Sequence, residues 1–175
     1  MNEQRKLAKQ LQTVSHFQSL GLTDLLYIVS SGQVRKFRAG DFIFHEGEGC
    51  AGMHVLIKGQ VELQKTGPQG KTSILSIIDP VIMFNEVSVL DGGENPFSAY
   101  ATQDCIIWQV SYEAFQSLLT RYPQVGLGLL RVLAKRNRQM LTQYEDVSFR
   151  SVLARTAKLL LCPASAVNGI LAAVL

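Results

Sequence analysis

Residues 84–101, FNEVSVLDGGENPFSAYA, bring together a carboxylate (Glu86), adjacent glycines (Gly92 and Gly93) and a proline (Pro96) between two apolar alternating runs. Glycine, asparagine, aspartate and proline in this density make a tight polar turn. Such a turn has the material of a cradle for an anion or another small ligand. It lacks the cation an anion would want, since the stretch holds no lysine, arginine or histidine. Other reactive side chains are scattered. His45, His54 and Cys50 lie close in sequence without a recognisable metal-ligand spacing and read as strand and loop residues. Cys105 and Cys162 have apolar neighbours, where a cysteine behaves as a small hydrophobe. No Ser-His-Asp set or paired-carboxylate arrangement stands out, so the chain does not read as an enzyme.

The elements that must position the cradle follow from hydrophobic periodicity. Leu7, Leu11, Val14, Phe17, Leu20 and Leu22 recur at helical intervals over residues 3–30, with a restart at Thr23 and Asp24 and a left-handed glycine cap expected at Gly32. From Val34 to about Val110 the period becomes two, through Phe37, Phe42 and Phe44, then Met53, Val55 and Ile57, and so on to Ile106, Trp108 and Val110. Turn-forming stretches such as RAGD, GEGCAG, TGPQGK and DGGENP separate these runs. Short strands with frequent turns in one block predict an antiparallel barrel or jelly roll. Helices return after Val110, with Ser111 as an amino-terminal cap and a second helix beginning near Tyr122 and Pro123. That helix carries apolar residues three and four apart for about seven turns, the pattern of a seam against another helix. Leu129, Leu133, Asn137, Met140 and Tyr144 are its candidate dimerisation residues, with Asn137 in a position to set register.

Composition narrows the class. The chain has 175 residues, 47% of them hydrophobic, enough for one core with a helical extension. Seventeen basic and fourteen acidic side chains give a formal charge of +3, too mild to announce a nucleic-acid binder. The charge is uneven: residues 121–158 hold eight basic side chains (Arg121, Arg131, Lys135, Arg136, Arg138, Arg150, Arg155 and Lys158) against Glu145 and Asp146, a net +6. This reads as a solvated helix face able to meet phosphates nonspecifically. Three cysteines without a CxxC pair, an amino terminus without a secretory signal, and no apolar run of about 20 residues together predict a cytoplasmic protein with no membrane partner.

Five stretches, taken in order, carry a family resemblance: FQSLGLTDLLYIVSSGQVRKFRAGDFIFHEGE, GMHVLIKGQVELQKTGPQGKTSILSII, FNEVSVLDGG, RYPQVGLGLLRVLAKRNRQM and SFRSVLARTAKLLL. Over residues 14–161 the chain resembles the CRP/FNR (catabolite activator-like) transcription regulators. The resemblance implies an α+β fold: an antiparallel double-stranded β-helix or jelly roll of the cyclic-nucleotide-binding type, with amino-terminal helices and a long carboxy-terminal dimerisation helix. It implies a β-roll with its helices over residues 1–120, the dimerisation helix over 121–148, and over 149–175 the start of a DNA-binding region with a truncated or diverged tail. A winged helix would follow in the family, and DNA would be met only through it. The function implied is a sensory and self-pairing module that couples a small effector to DNA binding. The alternative is a stand-alone dimeric module that regulates a protein partner without DNA.

Within that resemblance, residues 84–99 correspond to the phosphate-binding cassette, which makes Asn85, Glu86, Val87, Gly92, Gly93, Asn95 and Ser98 the candidate effector contacts. Glu86 matches the family's ribose-binding glutamate. Asn85 stands in place of a glycine, and Asn95 and Pro96 stand where an arginine and a serine would neutralise the phosphate. Losing that charge-assisted partner costs on the order of 2–5 kcal/mol. Cyclic AMP is therefore expected to bind weakly or not at all, and the effector's identity stays open. The cysteine cluster of iron-sulfur members has no counterpart, since residues 1–49 contain no cysteine.

Overall fold

A computed structural model describes residues 2–149, and everything that follows concerns them. Cys162 and nearly all of the expected 149–175 region lie outside the described residues. Two helices open the chain, α1 (Asn2–Gln12) and α2 (Leu22–Ser30). Eight short strands follow: β1 (Gln33–Phe37), β2 (Phe42–Phe44), β3 (Met53–Lys58), β4 (Val61–Thr66), β5 (Thr72–Ile78), β6 (Ile82–Phe84), β7 (Ser98–Ala101) and β8 (Cys105–Val110). Helix α3 (Glu86–Asp91) interrupts them, and α4 (Tyr112–Arg121) and the 27-residue α5 (Pro123–Phe149) end the described chain. The strands form two antiparallel sheets, ordered β1-β8-β3-β6 and β2-β7-β4-β5. This is the α+β jelly roll that the resemblance implies, one of the two arrangements the alternating runs allow.

Two apolar clusters hold it together. Between the sheets, Phe37, Phe44, Leu56, Leu63, Phe84, Phe97 and Ile107 fill the roll. On the outer side of the first sheet, Trp108, Val55 and Met53 meet Leu11, Phe17, Leu25 and Ile28 from the amino-terminal segment and Phe115, Val125 and Leu129 from α4 and α5. Helix α5 thus begins inside this second cluster.

Three local features depart from the sequence reading. The helical pattern over residues 3–30 is broken after Gln12 by successive three-residue turns, in which Val14, Phe17 and Leu20 donate to Leu11, Val14 and Phe17. Thr13 Oγ1 donates to the Gln10 carbonyl at 2.7 Å, a local side-chain bond that competes with the helix ladder. Gly32 is required for closeness and not for a left-handed cap. The residue after α2, Ser31, is in the right-handed region, and a Cβ on Gly32 would lie 2.4 Å from the Gln109 carbonyl oxygen and 2.7 Å from the Trp108 ring. Strand β6 is absent from the expected runs because it is three residues long, between a turn and the cassette. By contrast, Ser111 caps α4 as expected, accepting from the Ala114 amide at 3.3 Å.

Candidate functional site

The cassette is assembled at the point where β6 hands over to α3. Asn85 takes φ 70° and ψ 31°, the left-handed region that asparagine tolerates better than other side chains besides glycine. That conformation turns the chain sharply from strand to helix and buries the Asn85 side chain, which is 1% exposed. Its Nδ2 donates to the Gly52 carbonyl at 3.0 Å and to Asn95 Oδ1 at 3.1 Å, and its Oδ1 accepts from Ser88 Oγ at 2.7 Å. The Gly52 carbonyl also accepts from His54 Nδ1 at 3.1 Å, which places the His54 proton on that nitrogen. Gly52 itself must be glycine, with φ +86° and a would-be Cβ 2.2 Å from the Val110 carbonyl oxygen.

Asn95 faces the loop after β2. Its Nδ2 donates to the His45 and Gly49 carbonyls, both at 3.2 Å, and its Oδ1 accepts from the Ala51 amide as well as from Asn85. Its backbone bonds Glu48 and Gly47 in the same loop. Two donors and two lone pairs are all that an amide side chain offers, so Asn95 has no remaining capacity for a ligand.

Glu86, the first residue of α3, points elsewhere. It is 4% exposed. Its carboxylate accepts Arg136 Nη1 on Oε2 and Arg136 Nη2 on Oε1, each at 3.3 Å, so the guanidinium of α5 grips it with both prongs. Burial pushes the Glu86 carboxyl above its ordinary value, while the Arg136 charge pulls the other way. Beside this pair lies a recess of ≈ 40 Å³ lined by Leu63, Ser76, Ile78, Ile82, Met83, Phe84 and Phe97 together with Glu86 and Arg136. The Ser76 hydroxyl, on β5, is buried and makes no hydrogen bond among the described residues.

Of the seven candidate effector residues, Glu86 is the one that lines the recess. Asn85 and Asn95 form the closed amide network. Val87 is 40% exposed on the outer side of α3. Gly92 caps α3 in the left-handed region beside the Tyr112 hydroxyl, and the Gly93 amide donates to Asp91. Ser98 Oγ accepts from the Glu46 amide at 2.9 Å. Arg136 and Ser76 escaped the sequence reading. Arg136 was one of eight cations in a basic segment, fifty residues from Glu86, and Ser76 sits within an apolar run.

Among the candidate dimerisation residues, Leu129 needs correction as a seam residue. It is fully buried in the chain's own second cluster. Leu133 is half-buried, while Asn137, Met140 (50% exposed) and Tyr144 (70% exposed) face outward, joined by Leu130 at 61%.

His54 packs against Phe44 and Phe84 with tilted rings, centroids 5.2 and 5.3 Å away, and burial lowers its pKa to about 4 despite the Gly52 bond. His16 is also buried, against Gly128 of α5, and makes no hydrogen bond among the described residues. Burial first and the Arg136 charge second bring its pKa down to about 4. Among the described residues, no three His, Cys, Asp or Glu side chains are grouped so as to hold a metal ion, and no helix is long and apolar enough to cross a membrane.

This geometry can be set beside known proteins. The cyclic nucleotide-binding domain family model matches residues 34–122, the span that contains nearly the whole roll, the cassette and α4. The chain is 30% identical over 145 residues to the CRP-like cAMP-activated global transcriptional regulator of Mycobacterium tuberculosis, covering 83% of this chain and 65% of that protein. The chain therefore spans somewhat less than two thirds of that relative's length. The crystal structure of the Thermus thermophilus catabolite activator protein superposes with a TM-score of 0.72 at 29% identity, over 77% of this chain and 63% of that one. The sensor domain of the transcriptional regulator DNR from Pseudomonas aeruginosa gives a TM-score of 0.72 at 23% identity, over 87% of this chain and 99% of that domain, a likeness of fold alone. The family model's match to the two-sheet roll, the cassette and α4, over half the chain, places the protein in the cyclic nucleotide-binding domain family, with CRP-like regulators among its relatives.

Proposed function

We propose that the chain is the sensory and self-pairing part of a CRP-type transcription regulator, in which an effector in the recess beside Glu86 sets the position of α5. It works by binding and not by catalysis. Residues 1–120 sense, 121–148 pair with a second copy, and the region from 149 leads toward a DNA-binding winged helix that would meet the operator. The observation that carries this reading is the Glu86–Arg136 pair, which joins the first residue of the cassette helix to the middle of α5. A ligand that competes for either partner changes how firmly α5 is held, and a ligand can shift an equilibrium only through such a difference. The outward row of Leu130, Leu133, Asn137, Met140 and Tyr144, spaced 3-4-3-4, supports self-pairing through α5.

Cyclic AMP fits this reading poorly. Sites for molecules of that size run from about 300 Å³ upward, against ≈ 40 Å³ here. Asn95, in place of the family's arginine, is committed to the neighbouring loop. Calorimetric titration with cyclic AMP and cyclic GMP is expected to show no saturation in the micromolar range, and micromolar affinity for either overturns that expectation. The coupling is tested by amide hydrogen exchange on Arg136→Met. Faster exchange in both α3 and the second half of α5 supports it, and unchanged exchange in both removes it.

A further inference from the structure

The recess has an uneven lining. Leu63, Ile78, Ile82, Met83, Phe84 and Phe97 supply apolar wall, and its polar side chains are Ser76, Glu86 and Arg136. An apolar body with one polar head suits such a lining. The head is set by what Arg136 already holds. Its guanidinium presents two N–H groups to two carboxylate oxygens, and the 3.3 Å separations are longer than the roughly 2.7–2.9 Å of a tight charge-assisted bond. A second carboxylate entering along the apolar wall meets the same fork. Ser76 lines the same recess, and its hydroxyl is a buried donor that no other described group engages. We propose that the recess takes a short apolar carboxylic acid whose carboxylate replaces that of Glu86 on Arg136 and accepts a hydrogen bond from Ser76. This rests on reading the recess as the effector site, and it names the effector's chemical class.

The exchange has a proton balance. Glu86, displaced from the guanidinium but still buried, takes a proton from solvent, so one carboxylate anion and one proton are bound together. Burial already pushes the Glu86 carboxyl upward, which favours that step. The groups facing the pair do not complicate it. Among the lining residues only Glu86 and Arg136 are ionisable, so β4, β5, β6 and the segment leading to β7 contribute uncharged walls. From the segment between α1 and α2, His16 lies in the field of Arg136 and, with its pKa at about 4, is uncharged near neutrality. A cyclic phosphodiester carries the same single charge and can be met by the same guanidinium fork, but its nucleoside exceeds the recess.

The test is calorimetric titration of the full chain with butyrate and with butyramide as the neutral isostere, in buffers of different ionisation enthalpy. Butyrate is expected to bind with net proton uptake, tightening as pH is lowered. Butyramide should bind at least about tenfold more weakly. Glu86→Gln should keep butyrate binding while losing both the proton uptake and the pH dependence. Ser76→Val should weaken it about tenfold, and Arg136→Met should abolish it. The inference is overturned if tens of millimolar butyrate produces neither heat nor a shift in melting temperature with the wild type and Glu86→Gln. It is equally overturned if butyrate binding survives Arg136→Met or proceeds without proton uptake. Such failure leaves the hydrogen-exchange result on Arg136→Met standing, and that result alone decides whether the recess and α5 are coupled.

Discussion

Two polar pairs meet at the start of α3, one residue apart, and they are built on opposite terms. Asn85 and Asn95 are neutral, buried, and use every donor and acceptor of the Asn95 amide on the chain itself. Glu86 and Arg136 are charged, joined across two elements at 3.3 Å, and border an apolar recess with an unengaged hydroxyl. The first pair fixes the loop that frames the cassette. The second is where exchange is possible, because one partner suffers from its burial and the other, with 20% of its side chain exposed, keeps contact with water. Side by side, they show shape and charge at the start of α3 carried by different residues.

The contrast can be broken most forcefully at Asn95. Replacement by Ala leaves the Ala51 amide, the His45 and Gly49 carbonyls and the Asn85 amide without their partner, so chemical denaturation should reveal a loss of about 4 kcal/mol. Acid attacks the same neutral network through His54. Its folded pKa, about 4, lies below the unfolded value of 6.5, so the unfolded state binds the proton more readily between these values. Stability is then fully present above about pH 6.5 and falls by about 3 kcal/mol as pH drops toward 4, with His16 adding a loss in the same direction. Melting curves across that window check the sign, and His54→Phe should flatten part of the slope.

The charged pair should respond asymmetrically. Arg136→Met strands Glu86 in its buried site and should cost about 2 kcal/mol at neutral pH. Because a raised carboxyl pKa means that the folded state holds the proton more tightly, this variant should recover stability on mild acidification, opposite to the histidine trend. Glu86→Gln, which removes the buried charge and leaves Arg136 with access to solvent, should change stability by less than about 1 kcal/mol. Equal losses from the two variants would erase the distinction between a fixed pair and an exchangeable one.

Much of the roll was legible because Val55, Val61, Leu63, Trp108 and Val110 fall on the alternating runs and are buried, whereas Ile107, buried beside Trp108 on the opposite face of β8, breaks the period and was not. Strand β6 was hidden by its length of three residues. The Ser76 side chain was hidden by a register irregularity between Leu63 and Gln64, opposite β5, and by apolar neighbours on both sides. Glu86 stood out in sequence, but its partner did not, since nothing local ties residue 86 to residue 136. The misplacement of Leu129 has a related origin. A helix that leaves a core and continues outward carries apolar residues along its whole length, and periodicity does not mark where the protein's own interior ends.

That transition along α5 has a mechanical consequence. The helix is seated at one end by Val125 and Leu129 and clasped at Arg136, while the 13 residues from there to Phe149 extend for about 20 Å. Pivoting by 5° at the clasp would swing the far tip by nearly 2 Å, on the order of the helix shifts that switch subunit interfaces. The described residues thus combine a fulcrum and an arm, and loosening two hydrogen bonds at the fulcrum is a small input for a displacement of that size at the tip.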